Sequence, residues 1–454
     1  MNENFNGNVH FIGVGGISMS ALAEILLDRG CRVSGSDNNE NSLTDHLREK
    51  GMKFYRNHSA ENISEDTTLV VYTVAVKYDN AELVEARRRK IEVIPRSKLL
   101  GKIMEQYKFP VAIAGTHGKT TTTSMLAYIF MHGDLDPTVI VGGGLDLLGG
   151  TTLRLGGGDY ILAEACEYYR SFLDFKPFVA TVLNIEPDHL DYYKDKDDFQ
   201  GAFMDFSEKI LPGGFLVACA DDEDMHKITE HTTAKVVTYG IENPADITAK
   251  DILYTDGYPG YTLVAEGKEI CRVQLSVTGE HNVLNSLAAL ANAWVLGLDM
   301  EQAAVNVGKF KGAVRRFEYK LDLNGAKVFD DYAHHPTEVK ATVKAANKLP
   351  HNKLVFVFQP HTYSRAKTFL DEFAVAFEGA DKVIIADVYA AREAFDPTIP
   401  PSLIAEKIAE NGVEAIAISG NEQIADYLKS NLGEGDIAVV MGAGDIFKVY
   451  DLLK

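Results

Sequence analysis

Positive charge is scarce in this chain, with 45 Lys and Arg against 65 Asp and Glu and a formal net charge of −20. That deficit argues against nucleic-acid binding, which needs a basic face. It leaves small anionic substrates open, because a glycine loop and a few well-placed cations can outweigh the mean field. Cysteine is scarcer still. Cys31, Cys166, Cys219 and Cys271 are scattered without the spacing of a metal site, and are expected to be reduced thiols of a cytosolic protein. No apolar run approaches the roughly 18 residues that span a bilayer. The opening MNENFNGN is polar and unlike a signal peptide, and repeats and low-complexity tracts are lacking. These absences imply a cytoplasmic protein without membrane insertion.

What is present is ordinary for a folded protein, 46% hydrophobic and 24% charged, and 454 residues suggest about three domains. The run VAIAGTHGKTTTTSML, residues 111–126, carries the most information. It reads as an apolar strand, a turn, and a helix opening at Lys119. Gly115 and Gly118 let backbone N–H groups close around phosphate oxygens, Thr116 and His117 lie between them, and the helix adds its positive end. Lys119 offers a point charge for the outer phosphates and Thr120 a hydroxyl for Mg²⁺, with Thr121 following. The common phosphate loop has four residues between its glycines. Here there are two, with Ile113 at the usual first glycine position, which points away from generic kinases and GTPases.

A second glycine turn lies in residues 9–30, VHFIGVGGISMSALAEILLDRG, and the next strand ends on Asp37. That is the spacing at which a dinucleotide-binding unit holds a ribose. Ser18 replaces the third glycine and suggests a phosphate contact of its own. Two cradles roughly a hundred residues apart suggest an enzyme that binds a nucleotide-linked substrate and separately consumes ATP.

Alternating apolar strands and helical patterns predict an α/β protein of three domains. Residues 1–108 form a Rossmann-like parallel sheet with strands at 9–13, 32–36, 69–72 and 92–94. Residues 109–313 form a P-loop ATPase-like domain with strands at 111–114, 159–163, 178–182, 215–218 and 235–239, a small β insertion at about 246–277, and a helix at 281–297. Residues 314–454 form a second Rossmann-like unit that starts with a hairpin turning at Asn324-Gly325. Within the second domain, YILAEACEYYRSFL delivers Glu164 at a strand end as the first choice for a Mg²⁺ ligand, with Glu167 next. ATVLNIEPDHLDYY brings Asp188, His189 and Asp191 to the same sheet edge.

Taken in order, G-T-H-G-K-T-T-T, E-A-x-E, N-I-x-x-D-H-x-D, G-E-H-N-V-L-N, R-R-F, D-D-Y-A-H-H-P-T-E-V, F-Q-P-H-x-Y-S-R and M-G-A-G-D-I resemble the motifs of the Mur ligases over essentially the whole chain. Cys166 stands where many relatives have Asp, and Thr362 where some have Arg. The resemblance implies an ATP-dependent ligase of peptidoglycan precursor synthesis that uses Mg²⁺, UDP-N-acetylmuramate and L-alanine, and that is a monomer or weak homodimer. It implies Lys119, Glu164, His189, Arg316 and Asp331 as catalytic residues. ATP would be held by 115–121 with Asn282, Asn285, Arg316 and Asp331, and the metal by Thr120, Glu164 and His189. Gly15, Gly16, Ser18, Asp37, His58, Thr73 and Arg96 would hold the uridine diphosphate, and Tyr332, His334 and Arg365 the acceptor amino acid. Several relatives carry a carbamylated lysine where this chain has Met204, so no carbamate is expected. A ligase recycling a peptide onto the same nucleotide sugar would share these motifs. An NAD-dependent oxidoreductase or a non-catalytic nucleotide switch would leave several of them unused.

Overall fold

The computed structural model describes residues 7–189 and 192–454, so Asp191 of the predicted cluster lies outside the described residues. The chain divides into two compact units, Met1–Ile247 with Ala288–Ala303, and Thr248–Leu287 with Ala304–Lys454.

The first unit opens with a five-stranded parallel sheet in the order Lys53–Arg56, Arg32–Asp37, Asn8–Ile12, Thr67–Tyr72, Glu92–Pro95. Asn8–Ile12 is buried along its whole length; Val9, Phe11 and Ile12 are apolar, while Asn8 and His10 are buried polar residues paired with Ser34 and, for His10, with Glu82. Lys53–Arg56 was missed in the sequence. It is an edge strand with charged ends, and its pattern resembles a loop.

A second sheet of this unit runs Lys235–Gly240, Phe215–Cys219, Val179–Val182, Phe109–Ala114, Tyr160–Glu164, Thr138–Ile140, Leu153–Arg154. Phe109–Ala114 pairs in parallel with Val179–Val182 on one side and Tyr160–Glu164 on the other. The phosphate turn, Glu164 and the 184–189 segment therefore leave the sheet at neighbouring carboxyl ends, where ligands of open α/β sheets gather. Thr138–Ile140 and Leu153–Arg154 were also missed; both are very short.

The second unit contains the predicted β insertion. Tyr258–Ala265 pairs antiparallel with Lys268–Gln274, and Ile247–Thr255 neighbours it. Asp256-Gly257 and Glu266-Gly267 turn with positive φ at all four residues, the conformation such two-residue hairpin turns require. Its six-stranded sheet runs Glu318–Leu323, Ala326–Asp331, Ile437–Met441, Leu354–Phe358, Lys382–Ile385, Glu414–Ala417, antiparallel only at the first pair. Apolar layers cover both faces, Phe356, Phe358, Val439 and Phe373 on one, Val357, Val440, Ile424 and Leu428 on the other. A helix at Met300–Val307 precedes the 308–313 segment and was not anticipated. Among the described residues no helix is long and apolar enough to cross a membrane.

Candidate active site

The phosphate turn is built as its composition requires. Gly115 has φ +134, and a Cβ there would lie 2.9 Å from the Leu183 Cβ and 3.1 Å from the Asn184 nitrogen. Gly118 has φ +85 and caps the helix Lys119–His132. Asn184 braces the turn, with Oδ1 accepting from the His117 N–H at 2.8 Å and Nδ2 donating to the His117 carbonyl at 3.1 Å. The first N–H groups of the helix have no intrahelical acceptor and point out of its positive end.

Lys119 donates to the Gly115 and Thr116 carbonyls and to Glu167, 3.0 Å from Oε2. Glu167 is buried, and its other oxygen lies 3.5 Å from His189 Nε2. Burial opposes the charge of Lys119, but the carboxylate of Glu167, with Cys166 and Glu164 farther out, keeps its pKa above the ordinary value. For Glu167 burial pushes upward, while Lys119 and His189 prevail and hold its pKa low. The pair is therefore an ionised lysine and carboxylate. His189 has a positive φ of 55 and stacks on Tyr168 at 4.3 Å between ring centroids.

Glu164, the first choice from sequence, is the last residue of its strand, and its Oε1 accepts from the Gly142 N–H. A Cβ on Gly142 would come within 2.8 Å of Glu164 Oε2, so that glycine leaves room for the carboxylate. Mg²⁺ takes oxygen ligands. The Glu164 carboxylate and the Thr120 hydroxyl fit it, whereas the His189 nitrogen is a softer donor and faces Glu167. Met204 lies on the helix Lys196–Ser207, and Lys196 is paired with Asp224 at 2.7 Å.

A cavity of about 580 Å³ opens beside the N-terminal sheet and is lined by Gly16, Asp37, His58 and Thr73, with Gly13 and the 75–80 segment. Asp37 Oδ2 accepts from the Gly15 N–H at 2.9 Å and Oδ1 from Asn39 at 3.1 Å. Gly15, Ser18 and Arg96 are not on the cavity wall. Arg96 starts the helix Arg96–Met104, and burial lowers its pKa.

The remaining predicted residues belong to the second unit. Asn282 Nδ2 donates to the Thr278 carbonyl at 2.7 Å, and Asn285 Nδ2 to Asn282 Oδ1 at 3.1 Å. Asp331 is buried and accepts from the Phe317 and Ala333 N–H groups and the Thr342 hydroxyl. Burial raises its pKa to about 6, against the pull of Arg316. Arg316 lies over the Tyr332 ring and 3.9 Å from Glu338. His334 Nδ1 is 3.1 Å from Glu338 Oε2, its ring meets those of Tyr332 and His361 edge-on, and Arg365 reaches His361 at 3.3 Å. Arg316, Tyr332, His334 and Arg365 thus converge around Glu338 and His361, which sequence reasoning did not single out although both lie within quoted motifs.

Family models match in chain order: Mur ligase family, catalytic domain, over residues 8–108, Mur ligase middle domain over 113–293, and Mur ligase, glutamate ligase domain, over 315–444. A UDP-N-acetylmuramate–L-alanine ligase of Acetivibrio thermocellus is 48% identical over 98% of this chain and 95% of its own. One of Clostridium acetobutylicum is 44% identical over 100% of this chain and 98% of its own. The crystal structure of UDP-N-acetylmuramate-alanine ligase from Thermotoga maritima superposes with a TM-score of 0.82 at 29% identity, covering 99% of this chain and 98% of that one. The chain belongs to the Mur ligase family.

Proposed function

We propose that this protein is the ADP-forming ligase that joins L-alanine to the lactyl carboxylate of UDP-N-acetylmuramate in the cytoplasm, during peptidoglycan precursor synthesis. The observation that carries the reading is the convergence of Lys119, Glu164, Glu167 and His189 on the phosphate turn, in a chain 48% identical to a ligase of that name. We assign residues 1–108 to the nucleotide sugar, 109–313 to ATP and 314–454 to the amino acid.

A lactyl carboxylate oxygen attacks the γ-phosphorus of ATP and the bond to the β,γ-bridging oxygen breaks, giving an acyl phosphate and ADP. The L-alanine nitrogen then attacks the acyl carbon. The tetrahedral intermediate expels inorganic phosphate and the nitrogen gives up a proton, leaving an amide. Two anions meet in the first step, so the chief task of the protein is neutralisation and positioning. The 115–121 backbone and Lys119 hold the phosphates, Asn282 and Asn285 the adenine, and Arg316 and Asp331 the transferring end. Thr120 and Glu164 would hold Mg²⁺, His189 being turned to Glu167 instead, and the ion would supply charge neutralisation of the phosphates. Tyr332, His334 and Arg365 hold L-alanine, and His334 or His189 receives the amine proton.

Phosphate release from ATP, measured with UDP-N-acetylmuramate while the acceptor is varied, tests this assignment. Release that depends on L-alanine supports it. Release with a peptide acceptor but not with L-alanine would identify a recycling ligase instead.

A further inference from the structure

Beneath the cavity at the N-terminal sheet lies a buried polar cluster that the mechanism does not use. Glu82 has no exposed surface, an unusual state for a glutamate unless it is fully paired. It sits in the first turn of the helix Ala81–Arg88, whose cap Asn80 lies on the cavity wall. Its two oxygens meet four donors. Oε1 faces His10 Nε2 at 3.2 Å and Asn62 Nδ2 at 2.8 Å, and Oε2 faces the Ser36 hydroxyl at 2.7 Å and His58 Nδ1 at 2.8 Å. Burial pushes the Glu82 pKa up, but His10, Ser36 and Asn62 outweigh it and hold the carboxyl below its ordinary range.

This pattern fixes a proton. The Ser36 hydroxyl gives its hydrogen to Glu82, so Ser36 Oγ, 3.0 Å from His58 Nδ1, can only accept from the ring. Both neighbours of Nδ1 are acceptors, and Nδ1 must carry hydrogen. Among the described residues His58 Nε2 has no hydrogen-bond partner, and His58 lines the cavity. We infer that Glu82 is a positioning residue for nucleotide-sugar recognition: it locks His58 with its Nδ1 hydrogen turned to Glu82 and Ser36, so that Nε2 is the ring nitrogen left to meet a hydrogen-bonding atom of the uridine. The inference rests on the uridine reading of that cavity. It also gives the acidic residue at this helix start a role that a simple complement to the helix dipole would not supply.

The test combines two readouts on the full chain. In ¹⁵N-histidine spectra of the ligand-free protein, Nδ1 of His58 should be protonated; an unprotonated Nδ1 overturns the proposal. In calorimetry with UDP, Glu82→Gln should weaken binding about five- to tenfold, the worth of one misaligned hydrogen bond. The turnover at saturating UDP-N-acetylmuramate and the KM for ATP should stay within about twofold. Folded Glu82→Gln that binds UDP as the parent does, while His58→Ala binds weakly, overturns the positioning role. UDP binding indifferent to His58→Ala would overturn the uridine reading together with the role built on it. If Glu82→Gln does not fold, the spectrum of the parent protein still decides the tautomer.

Discussion

Lys119 Nζ lies 3.0 Å from Glu167 Oε2 at the mouth of the phosphate turn, with the carboxylate buried and the lysine side chain partly so. A buried pair of this kind is costly to break on one side, because the partner is left as an uncompensated charge. It also means that arriving phosphates find Lys119 charged and already aimed at the turn.

Lys119→Ala should lower ligase turnover by at least about a hundredfold, the scale for removing one preorganised charge contact. Steady-state kinetics on a variant with native circular dichroism checks this. Near-normal turnover would remove Lys119 from the mechanism.

Glu167→Gln should lower unfolding stability by about 3 kcal/mol or more, since Lys119 loses its compensating charge and one of Lys119 and His189 loses its acceptor oxygen. ATP should restore part of that loss by supplying new negative charge, so thermal shifts with ATP should be larger in the variant than in the parent. Equal shifts would contradict the coupling.

How much of this was readable from sequence differs from element to element. The Phe109–Ala114 strand was legible because central parallel strands are apolar on both faces, Asn8–Ile12 because Val9, Phe11 and Ile12 lead straight into a glycine turn, and the glycine turns because only glycine suits their backbone. Glu164 ranked above Glu167 since it ends the strand. The chain beyond Glu167, however, takes positive φ at Tyr169 and Arg170, and it is the Glu167 carboxylate that meets Lys119, a relationship no periodicity encodes. Glu82 was invisible because an acid in a first helical turn is commonplace, and only the fold brings His10, Ser36 and His58 around it. Thr138–Ile140 and Leu153–Arg154 were too short to stand out from turns.

Asp331 predicts a pH dependence of defined sign. Its folded pKa of about 6 exceeds the ordinary 3.8, so the folded state binds the proton more tightly than the unfolded state. The stabilisation is fully present below about pH 4 and lost as pH rises through about 6. Asp331→Asn removes this titration, so the loss of stability between pH 4 and pH 8 should be smaller in the variant than in the parent by up to about 3 kcal/mol. This comes on top of a constant offset from the N–H and O–H donors that one amide oxygen cannot all meet, and the variant should be nearly inactive. Denaturant titrations at the two pH values check it; a variant that loses as much stability as the parent, or more, between them would refute the argument.

Arg316→Ala should reduce turnover while leaving UDP affinity nearly unchanged, because Asp37, His58 and Thr73 belong to the other unit. Calorimetry with UDP alongside kinetics separates the two. A large loss of UDP affinity with turnover intact at saturation would refute the assignment.

Met204 cannot be carbamylated, and its thioether is a poor Mg²⁺ ligand. Activity should be the same in CO₂-depleted buffer and after bicarbonate is added back. Loss on depletion with recovery on addition would show a carbamate that this account does not contain.

The central claim is that the carboxylate of UDP-N-acetylmuramate is activated as an acyl phosphate. Mass spectrometry of the phosphate released from substrate labelled with ¹⁸O in both lactyl carboxylate oxygens tests it most directly. The account predicts one ¹⁸O atom in each phosphate formed, dependent on L-alanine and lost in Lys119→Ala. Phosphate released without ¹⁸O, while the amide product accumulates, would contradict it.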